Sequence, residues 1–214
     1  MFRQRLRVWF RIRGDKRYLS HHDTMRLWER ALRRAGLPLR MSQGFNPRPK
    51  LSLSEPRSVG VASEAEILEF ELADWVNPDA VLNALREQLP TGVEADRLDL
   101  VRPSDKAHPK TIVYVARLEA PCPDLGDRIA RLLARAEAPV VRKRPTGDKH
   151  LDARPFIAAV EGASAGPGGG AAVCIEVRTG PGGTVRPDEV LRLLGFDAEA
   201  VARADLVRTE IRLA

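Results

Sequence analysis

The chain has 214 residues, of which 43% are hydrophobic and 30% are charged, and its formal net charge is +6. This balance excludes an intrinsically disordered protein, and the length suits two domains of about 100 residues each. A basic chain favours a polyanionic partner such as nucleic acid. No apolar run approaches the roughly 18 to 20 residues that span a bilayer, so we expect no membrane partner and a cytoplasmic protein.

The first predicted domain covers residues 1–101. Residues 5–13 alternate hydrophobic with mostly basic side chains, which predicts a strand with one face in the core. Ser20 and Asp23 resemble a capping box that opens a helix, and Gly36 ends it. The segments that follow are alternating stretches around 51–53, 59–61 and 68–72, a helix from about 78 to 89, and a strand near 98–100. The order β-α-β-β-α-β is that of a ferredoxin-like domain.

Residues 102–110, which contain two prolines, are predicted to be a linker, and residues 111–214 repeat the element order. The second set comprises a strand at 111–118, a helix near 124–136, strands near 155–161 and 171–178, a short helix from Pro187 to Gly195, and a strand at 206–213. The sequence therefore predicts an α+β fold of two tandem ferredoxin-like (βαββαβ) domains with antiparallel sheets.

The basic excess of the chain lies in its first fifty residues. They hold 14 Lys and Arg against three acids, whereas the rest of the chain holds 21 against 26. Clustered cations displace the counterions condensed on nucleic acid, so this segment predicts an RNA-binding surface. The candidate contacts are Arg7, Trp9 and Arg11 on the first strand, Arg26, Arg30 and Arg33 on the helix, and Gly44, Phe45, Arg48 and Lys50 in the next loop.

Two of these surfaces have structural alternatives. An aromatic between basic residues on an open sheet is how RRM-like sheets stack bases, but the face that carries Trp9 can instead pack on the second domain. In the loop, Gly44 allows close backbone approach, the prolines stiffen the segment, and Phe45 offers a stacking face for single-stranded RNA. The alternative is a rigid crossover between strands in which Phe45 plugs the core.

The second domain carries three candidate phosphate contacts, Lys149, Arg154 and Arg186. Arg186 stands near the end of a glycine-rich segment, 180–187, that precedes a helix. The free amides of such a segment, together with the guanidinium, suit a phosphate. A simple turn is the other interpretation.

His21 is the candidate catalytic residue. An imidazole with an ordinary pKa of about 6.5 can take the proton from a ribose 2′-hydroxyl in metal-independent RNA cleavage. A helix N-terminus favours its neutral form. A structural histidine is the alternative for His21, and Asp23 is interpreted first as a helix cap.

We expect neither a metal nor another cofactor. Cys122 and Cys174 stand far apart and in no CxxC spacing, so they cannot alone build a zinc site or an iron–sulfur cluster. The adjacent residues 21–23 do not converge unaided on one ion, because consecutive helical side chains point about 100° apart.

The segments Tyr18-Leu19-Ser20-His21-His22-Asp23 and Ser42-Gln43-Gly44-Phe45-Asn46-Pro47 resemble motifs of a radical-SAM-associated bacterial family built on a domain of unknown function. Weaker likeness continues at residues 152–155 and 182–191, so the resemblance covers nearly the whole chain. The family pattern has leucine where His22 stands. The resemblance implies a stand-alone small protein or a C-terminal extension of a radical SAM protein, often beside a ribonuclease of the E/G type.

These observations predict an RNA-binding accessory protein that acts with a radical SAM partner or in RNA processing or modification. The chain has no CxxxCxxC motif, so a separate polypeptide must supply any radical chemistry. Two alternatives stay open. One is a metal-independent endoribonuclease that uses His21, for which tandem ferredoxin-like CRISPR-repeat nucleases offer a fold analogy. The other is a protein adaptor that docks the radical SAM protein or the ribonuclease.

Overall fold

The computed structural model describes residues 4–143, 145–164, 170–180 and 182–214. The chain divides into two compact units, residues 1–109 with 213–214 and residues 110–212. Each unit combines helices with a mostly antiparallel sheet, so the predicted α+β class is confirmed. Among the described residues, no helix combines the length and the apolar character needed to cross a bilayer.

The first unit has the predicted order of main elements. They are β1 (Gln4–Ile12), α1 (His21–Arg34), β2 (Leu51–Leu53), β3 (Ala62–Leu72), α2 (Pro78–Gln88) and β4 (Val93–Val101), with a short 3₁₀ helix at Gly14–Tyr18. The strands stand in the order β4-β1-β3-β2, and each pairs antiparallel with its neighbour. The stretch 59–61, predicted as a strand, is a turn instead, because Gly60 adopts φ +89° and its amide donates to Arg17 O.

One hydrophobic cluster joins the inner face of this sheet to α1 and α2. The even-numbered residues from Leu6 to Ile12 are at most 1% exposed, as the alternation predicts. Trp28 is fully buried, and its ring meets the ring of Phe10 edge-on at 4.8 Å. The buried face of α1 also includes Leu27, whereas Met25 is only half buried.

Helix α1 begins at the predicted cap. The Oγ atom of Ser20 accepts a hydrogen bond from Asp23 N at 3.1 Å and donates one to Asp23 Oδ2 at 2.6 Å. The hydrogen bond from the Ser20 hydroxyl lowers the pKa of Asp23. The helix ends before Gly36, which adopts φ +65°. Ser20 is thus the N-cap of α1, and Asp23 is bonded to it through both its backbone amide and its carboxylate.

The second unit contains more elements than the sequence predicts. They are β5 (Pro109–Leu118), α3 (Leu125–Leu133), β6 (Pro139–Arg142), β7 (Lys149–Asp152), β8 (Ile157–Ser164), β9 (Ala171–Arg178), α4 (Pro187–Leu193), α5 (Ala198–Arg203) and β10 (Asp205–Leu213). The main sheet of the unit has the order β10-β5-β9-β8, and β6 pairs separately with β7. The β6–β7 hairpin and α5 escaped prediction because strands of four residues and a helix of six are too short to show a period.

The segment predicted as a linker packs on the first unit. Pro103 O accepts a hydrogen bond from Arg5 Nη1 at 3.2 Å, and Asp105 O accepts one from Arg7 Nη2 at 2.9 Å. The amide of Ala107 donates to Glu69 Oε1 at 3.0 Å. These three bonds fasten residues 103–107 to β1 and β3.

Candidate nucleic-acid interface

The outward face of β1 is occupied by ion pairs. Glu69 accepts hydrogen bonds from Arg5 Nη2 at 2.6 Å and from Arg7 Nε and Nη2 at 2.9 and 2.8 Å. Only 5% of Glu69 is exposed. Burial raises the pKa of Glu69, but the hydrogen bonds from the two arginines and the Ala107 amide outweigh it, so its pKa lies below the ordinary value. The charge of Arg7 is therefore compensated within the unit.

Trp9 and Arg11 are engaged by residues of β4. Trp9 Nε1 donates to Asp99 Oδ2 at 2.7 Å, and the guanidinium of Arg97 lies over the Trp9 ring, 4.4 Å from its centroid. Arg11 Nε donates to both Asp96 carboxylate oxygens, at 2.8 and 3.0 Å. The sequence predicted Arg7, Trp9 and Arg11 as RNA contacts on an open face, yet their donors and one aromatic face are already occupied, so none presents a free cation or a bare ring.

Exposed cations line the outer side of α1. The Arg26 side chain is 73% exposed and stands 3.8 Å from Asp23, and Arg33 donates to Glu29 Oε1 at 3.0 Å. The exposed Arg30 forms no ion pair or hydrogen bond through its side chain with any described residue. Exposed pairs at this spacing stabilise by only about 0.5 kcal/mol. These three residues are the α1 stripe: Arg30 keeps its charge without a partner among the described residues, and Arg26 and Arg33 are held only by weak, exposed pairs.

The loop after α1 is a hairpin whose base is fixed to the end of β3. Arg40 N donates to Glu71 O at 2.8 Å, Lys50 N donates to Arg40 O at 2.9 Å, and Glu71 N donates to Lys50 O at 3.1 Å. The side chains join as well, because Arg40 Nη1 donates to Glu71 Oε2 at 3.0 Å. Lys50, a predicted RNA contact, is half buried at this base.

The tip of the hairpin, residues 42–48, projects an aromatic side chain into solvent. Ser42 N donates to Arg48 O at 2.7 Å, and Arg48 N donates to Ser42 Oγ at 3.0 Å, so the tip is closed on itself. Gly44 adopts φ +135°, a backbone region that favours glycine. Phe45 is fully exposed at 104% and Arg48 is exposed too. The alternative in which Phe45 plugs the core does not hold.

His21 is half buried in the first turn of α1. Its Nδ1 atom is buried and has no hydrogen-bond partner among the described residues. Burial, and then the neighbouring His22, lower the pKa of His21, while Glu66 opposes them. The imidazole is consequently neutral near pH 7. The adjacent Asp23 carboxylate is engaged by Ser20.

The candidate phosphate contacts of the second unit do not come together as one site. Arg154 donates from Nη2 to Leu133 O at 2.9 Å and from Nη1 to Ile157 O at 3.3 Å, so its guanidinium supports the backbone. Lys149 lies opposite Arg142 in the β6–β7 hairpin, and Arg186 is exposed just before α4. Arg142 was missed by the sequence, since one arginine at the end of a short strand carries no distinctive signal. Among the described residues, no three His, Cys, Asp or Glu side chains form a group that fits a metal ion.

Fold and surface define a two-unit α+β protein whose first unit presents exposed cations and, at the tip of the hairpin, the fully exposed Phe45. The chain belongs to a family described as an uncharacterized protein conserved in bacteria (DUF2344), which matches residues 5–187. This confirms the predicted membership of a bacterial family built on a domain of unknown function. No curated protein matches the chain.

Several solved structures are similar to this chain. A chain of a Cbf5-Nop10-Gar1 complex is 12% identical with a TM-score of 0.50, and the match covers 96% of this chain and 48% of that one. This protein therefore spans about half the length of that relative, and the likeness concerns the fold alone. An unknown protein from Galdieria sulphuraria is 14% identical over 100% of this chain and 99% of its own, with a TM-score of 0.25.

Proposed function

We propose that this protein binds RNA through its first unit, with the tip of the 42–48 hairpin and the α1 stripe as contacts. Phe45 carries this proposal. Its side chain is fully exposed at the end of a hairpin whose base is hydrogen-bonded to β3 and whose tip is closed by Ser42 and Arg48. A base stacked on such an aromatic contributes about 1–3 kcal/mol whatever its identity.

Exposed cations of the first unit supply the second part of the interaction. Arg48 is exposed within the same hairpin tip, and Arg30 is exposed on α1 without a partner among the described side chains. Phosphate contacts from such residues fix position and affinity without reading sequence. Arg7 and Arg11 have no part in this proposal, because Glu69 and Asp96 already hold them.

The test compares two exposed aromatics of the same unit. Phe45→Ala is measured against the matched control Trp75→Ala, whose side chain is 60% exposed. We expect Phe45→Ala to weaken binding of single-stranded RNA about tenfold, and Trp75→Ala to change it less than about twofold. Fluorescence anisotropy with labelled single-stranded and duplex RNA gives both affinities. Equal affinity of the wild type and Phe45→Ala for single-stranded RNA would refute the proposal.

We also infer that each unit is a ferredoxin-like module. The strand orders β4-β1-β3-β2 and β10-β5-β9-β8 support this, because each unit has helices after its first and third main strands. In the second unit the β6–β7 hairpin is then an insertion between α3 and β8.

A partnership with a radical SAM protein or an E/G-type ribonuclease is part of the proposal and rests on the resemblance of residues 18–23 and 42–47. Two forms of partnership differ in what holds them together. An RNA-bridged complex disperses when a tagged preparation is treated with nuclease and washed at high salt. A protein adaptor stays bound through apolar contacts that salt does not screen.

RNA cleavage by His21 without a metal is a second candidate function. The observation that favours it is the half-buried position of His21 in the first turn of α1. Burial lowers the pKa of His21, and a neutral imidazole can accept a proton near pH 7. Incubation with total cellular RNA in EDTA tests it. Cleavage that is abolished in His21→Ala and kept in His22→Ala supports the candidate, and intact RNA at high protein excess refutes it.

A further inference from the structure

A cleft of about 500 Å³ opens in the second unit between β6 and α4. One wall is β6 with the following Lys143, and the other is the start of α4 with Arg186. Its volume lies within the range of about 300–1,000 Å³ that small-molecule sites occupy. Apolar lining comes from Pro139, Val140, Val141 and Leu193, and the charged lining residues are Arg142, Lys143, Arg186, Asp188, Glu189 and Arg192.

A buried ion pair holds the two walls together. Glu189 accepts hydrogen bonds from Arg142 Nε at 2.6 Å, from Arg142 Nη2 at 2.7 Å and from Arg186 N at 2.8 Å. Arg142 Nη2 also donates to Thr184 O at 2.7 Å. Burial raises the pKa of Glu189, and the hydrogen bonds outweigh it, so the carboxyl is ionised and fully paired. The cleft is therefore preformed.

Both acids of the cleft have cationic partners, which leaves an excess of positive charge. Asp188 Oδ2 accepts from Arg192 Nη1 at 2.7 Å, and Glu189 is held by Arg142. Lys143 and Arg186 are exposed, and the side chain of neither has an ion pair or hydrogen bond with a described residue. Two exposed cations whose side chains form no bond with a described residue thus line the cleft together with apolar side chains.

We propose that this cleft binds a phosphate group carried by a nucleotide, with Lys143 and Arg186 as its charged contacts. Charge-assisted hydrogen bonds from both walls reach the phosphate, while the apolar side chains that line the cleft accommodate the rest of the ligand. The nucleotide is either free or the 5′-terminal residue of an RNA chain. The proposal uses no residue of the first unit, so it stands independently of the RNA contacts proposed there.

Calorimetric titration of the full chain tests the proposal with four probes. They are inorganic phosphate, adenosine monophosphate, and one RNA oligonucleotide bearing either a 5′-phosphate or a 5′-hydroxyl. The variant combines Lys143→Ala with Arg186→Ala, and the control combines Lys110→Ala with Arg135→Ala, which removes the same charge from exposed positions outside the cleft. We expect the cleft variant to weaken phosphate and nucleotide binding at least about tenfold, and the control less than about twofold.

The probes also separate the two sources of the nucleotide. Saturable binding of adenosine monophosphate indicates a free ligand. Tighter binding of the 5′-phosphorylated than of the 5′-hydroxyl oligonucleotide, without saturation by adenosine monophosphate, indicates an RNA end. The proposal is overturned if neither inorganic phosphate nor adenosine monophosphate saturates at millimolar concentration and the 5′-phosphate does not tighten oligonucleotide binding, or if both double variants reduce affinity equally. Phe45→Ala should leave the titrations with inorganic phosphate and adenosine monophosphate unchanged, so a failure of this site and a failure of the first-unit contacts are distinguishable.

Discussion

Arg7 and Glu69 stand directly opposite one another in the antiparallel pairing of β1 with β3, and two hydrogen bonds join them. On the other side of β1, Arg11 donates a hydrogen bond to Asp96 of β4, although the residue opposite it in the strand register is Glu94. Strand β1 is basic along the chain, but its neighbours in space are acidic. Consequently the exposed cations proposed to contact RNA lie on α1 and the hairpin tip and not on β1.

The first prediction concerns the stability that Glu69 confers. We expect Glu69→Gln to reduce the free energy of unfolding by about 3 kcal/mol, because it leaves the buried Arg7 without its anion and Arg5 with only Glu71 at 3.8 Å. Urea denaturation measures the reduction. The exposed Glu87→Gln is the matched control and should change stability by less than about 0.5 kcal/mol. Equal stability of the two variants would contradict the expectation.

The second prediction is the pH dependence of that reduction. Burial raises the pKa of Glu69 and the arginine hydrogen bonds more than offset it, so its folded-state pKa lies below the unfolded value of about 4.3. The unfolded chain therefore takes up the proton first, and stability is full above about pH 4.3 and falls as the pH drops through the folded-state pKa. The gap between wild type and Glu69→Gln should narrow below about pH 4 in urea titrations. A gap that stays constant between neutral and acid pH would count against the ion pair.

The third prediction separates core from surface tryptophans. Trp28 is fully buried against Phe10, so Trp28→Ala should cost about 3–5 kcal/mol, because it removes buried apolar surface and leaves a cavity. Trp75 is 60% exposed, and Trp75→Ala should cost less than about 1 kcal/mol. Thermal and urea unfolding of the two variants give the comparison. A loss of less than about 1 kcal/mol in the free energy of unfolding of Trp28→Ala would contradict the packing of α1 on β1.

The fourth prediction tests the electrostatic part of RNA binding. The affinity for RNA falls as salt rises, and Arg30→Glu combined with Arg48→Glu should make this dependence shallower. The magnitude of the slope of log affinity against log salt should decrease by about 0.7 for each phosphate of single-stranded RNA that the variant no longer neutralises. Anisotropy titrations over a salt series measure it. Arg102→Glu with Lys106→Glu makes the same charge change at exposed positions away from α1 and the hairpin tip. If this control decreases the magnitude of the slope equally, RNA binding depends on the net charge of the protein and involves no defined surface.

The β6–β7 hairpin gives a fifth prediction. Arg142 is 13% exposed and carries the bonds to Glu189 and Thr184, so Arg142→Met should destabilise the second unit by about 3 kcal/mol. Arg192→Met, which breaks only an exposed pair with Asp188, should cost less than about 1 kcal/mol. Hydrogen exchange of the β6 and α4 amides locates the effect. Equal protection in the two variants would show that the pair does not fasten the walls.

Local signals in the sequence sufficed for most of the elements. The alternation of residues 5–13 and the cap at Ser20 predicted β1 and α1 because these patterns depend only on near neighbours. They failed at 59–61, where a glycine turn interrupts the alternating hydrophobic pattern, and at β6, β7 and α5, which are too short for periodicity. The candidate site shows the same division. The sequence identified Phe45 as an aromatic side chain that could stack on a base, but it did not determine whether that side chain is exposed.

By itself, the sequence determined the fold class, the order of the main strands and helices, the cap of α1, and the concentration of cations in the first fifty residues. Only the tertiary structure decided which cations are free. Glu69 lies 62 residues from Arg7, and Asp96 lies 85 from Arg11, so pairing depends on strand register and not on neighbours in the chain. A charge compensated at hydrogen-bond distance adds little to the field at the surface, and this is why Arg30 and Arg48 rather than Arg7 and Arg11 carry the proposed contact with RNA.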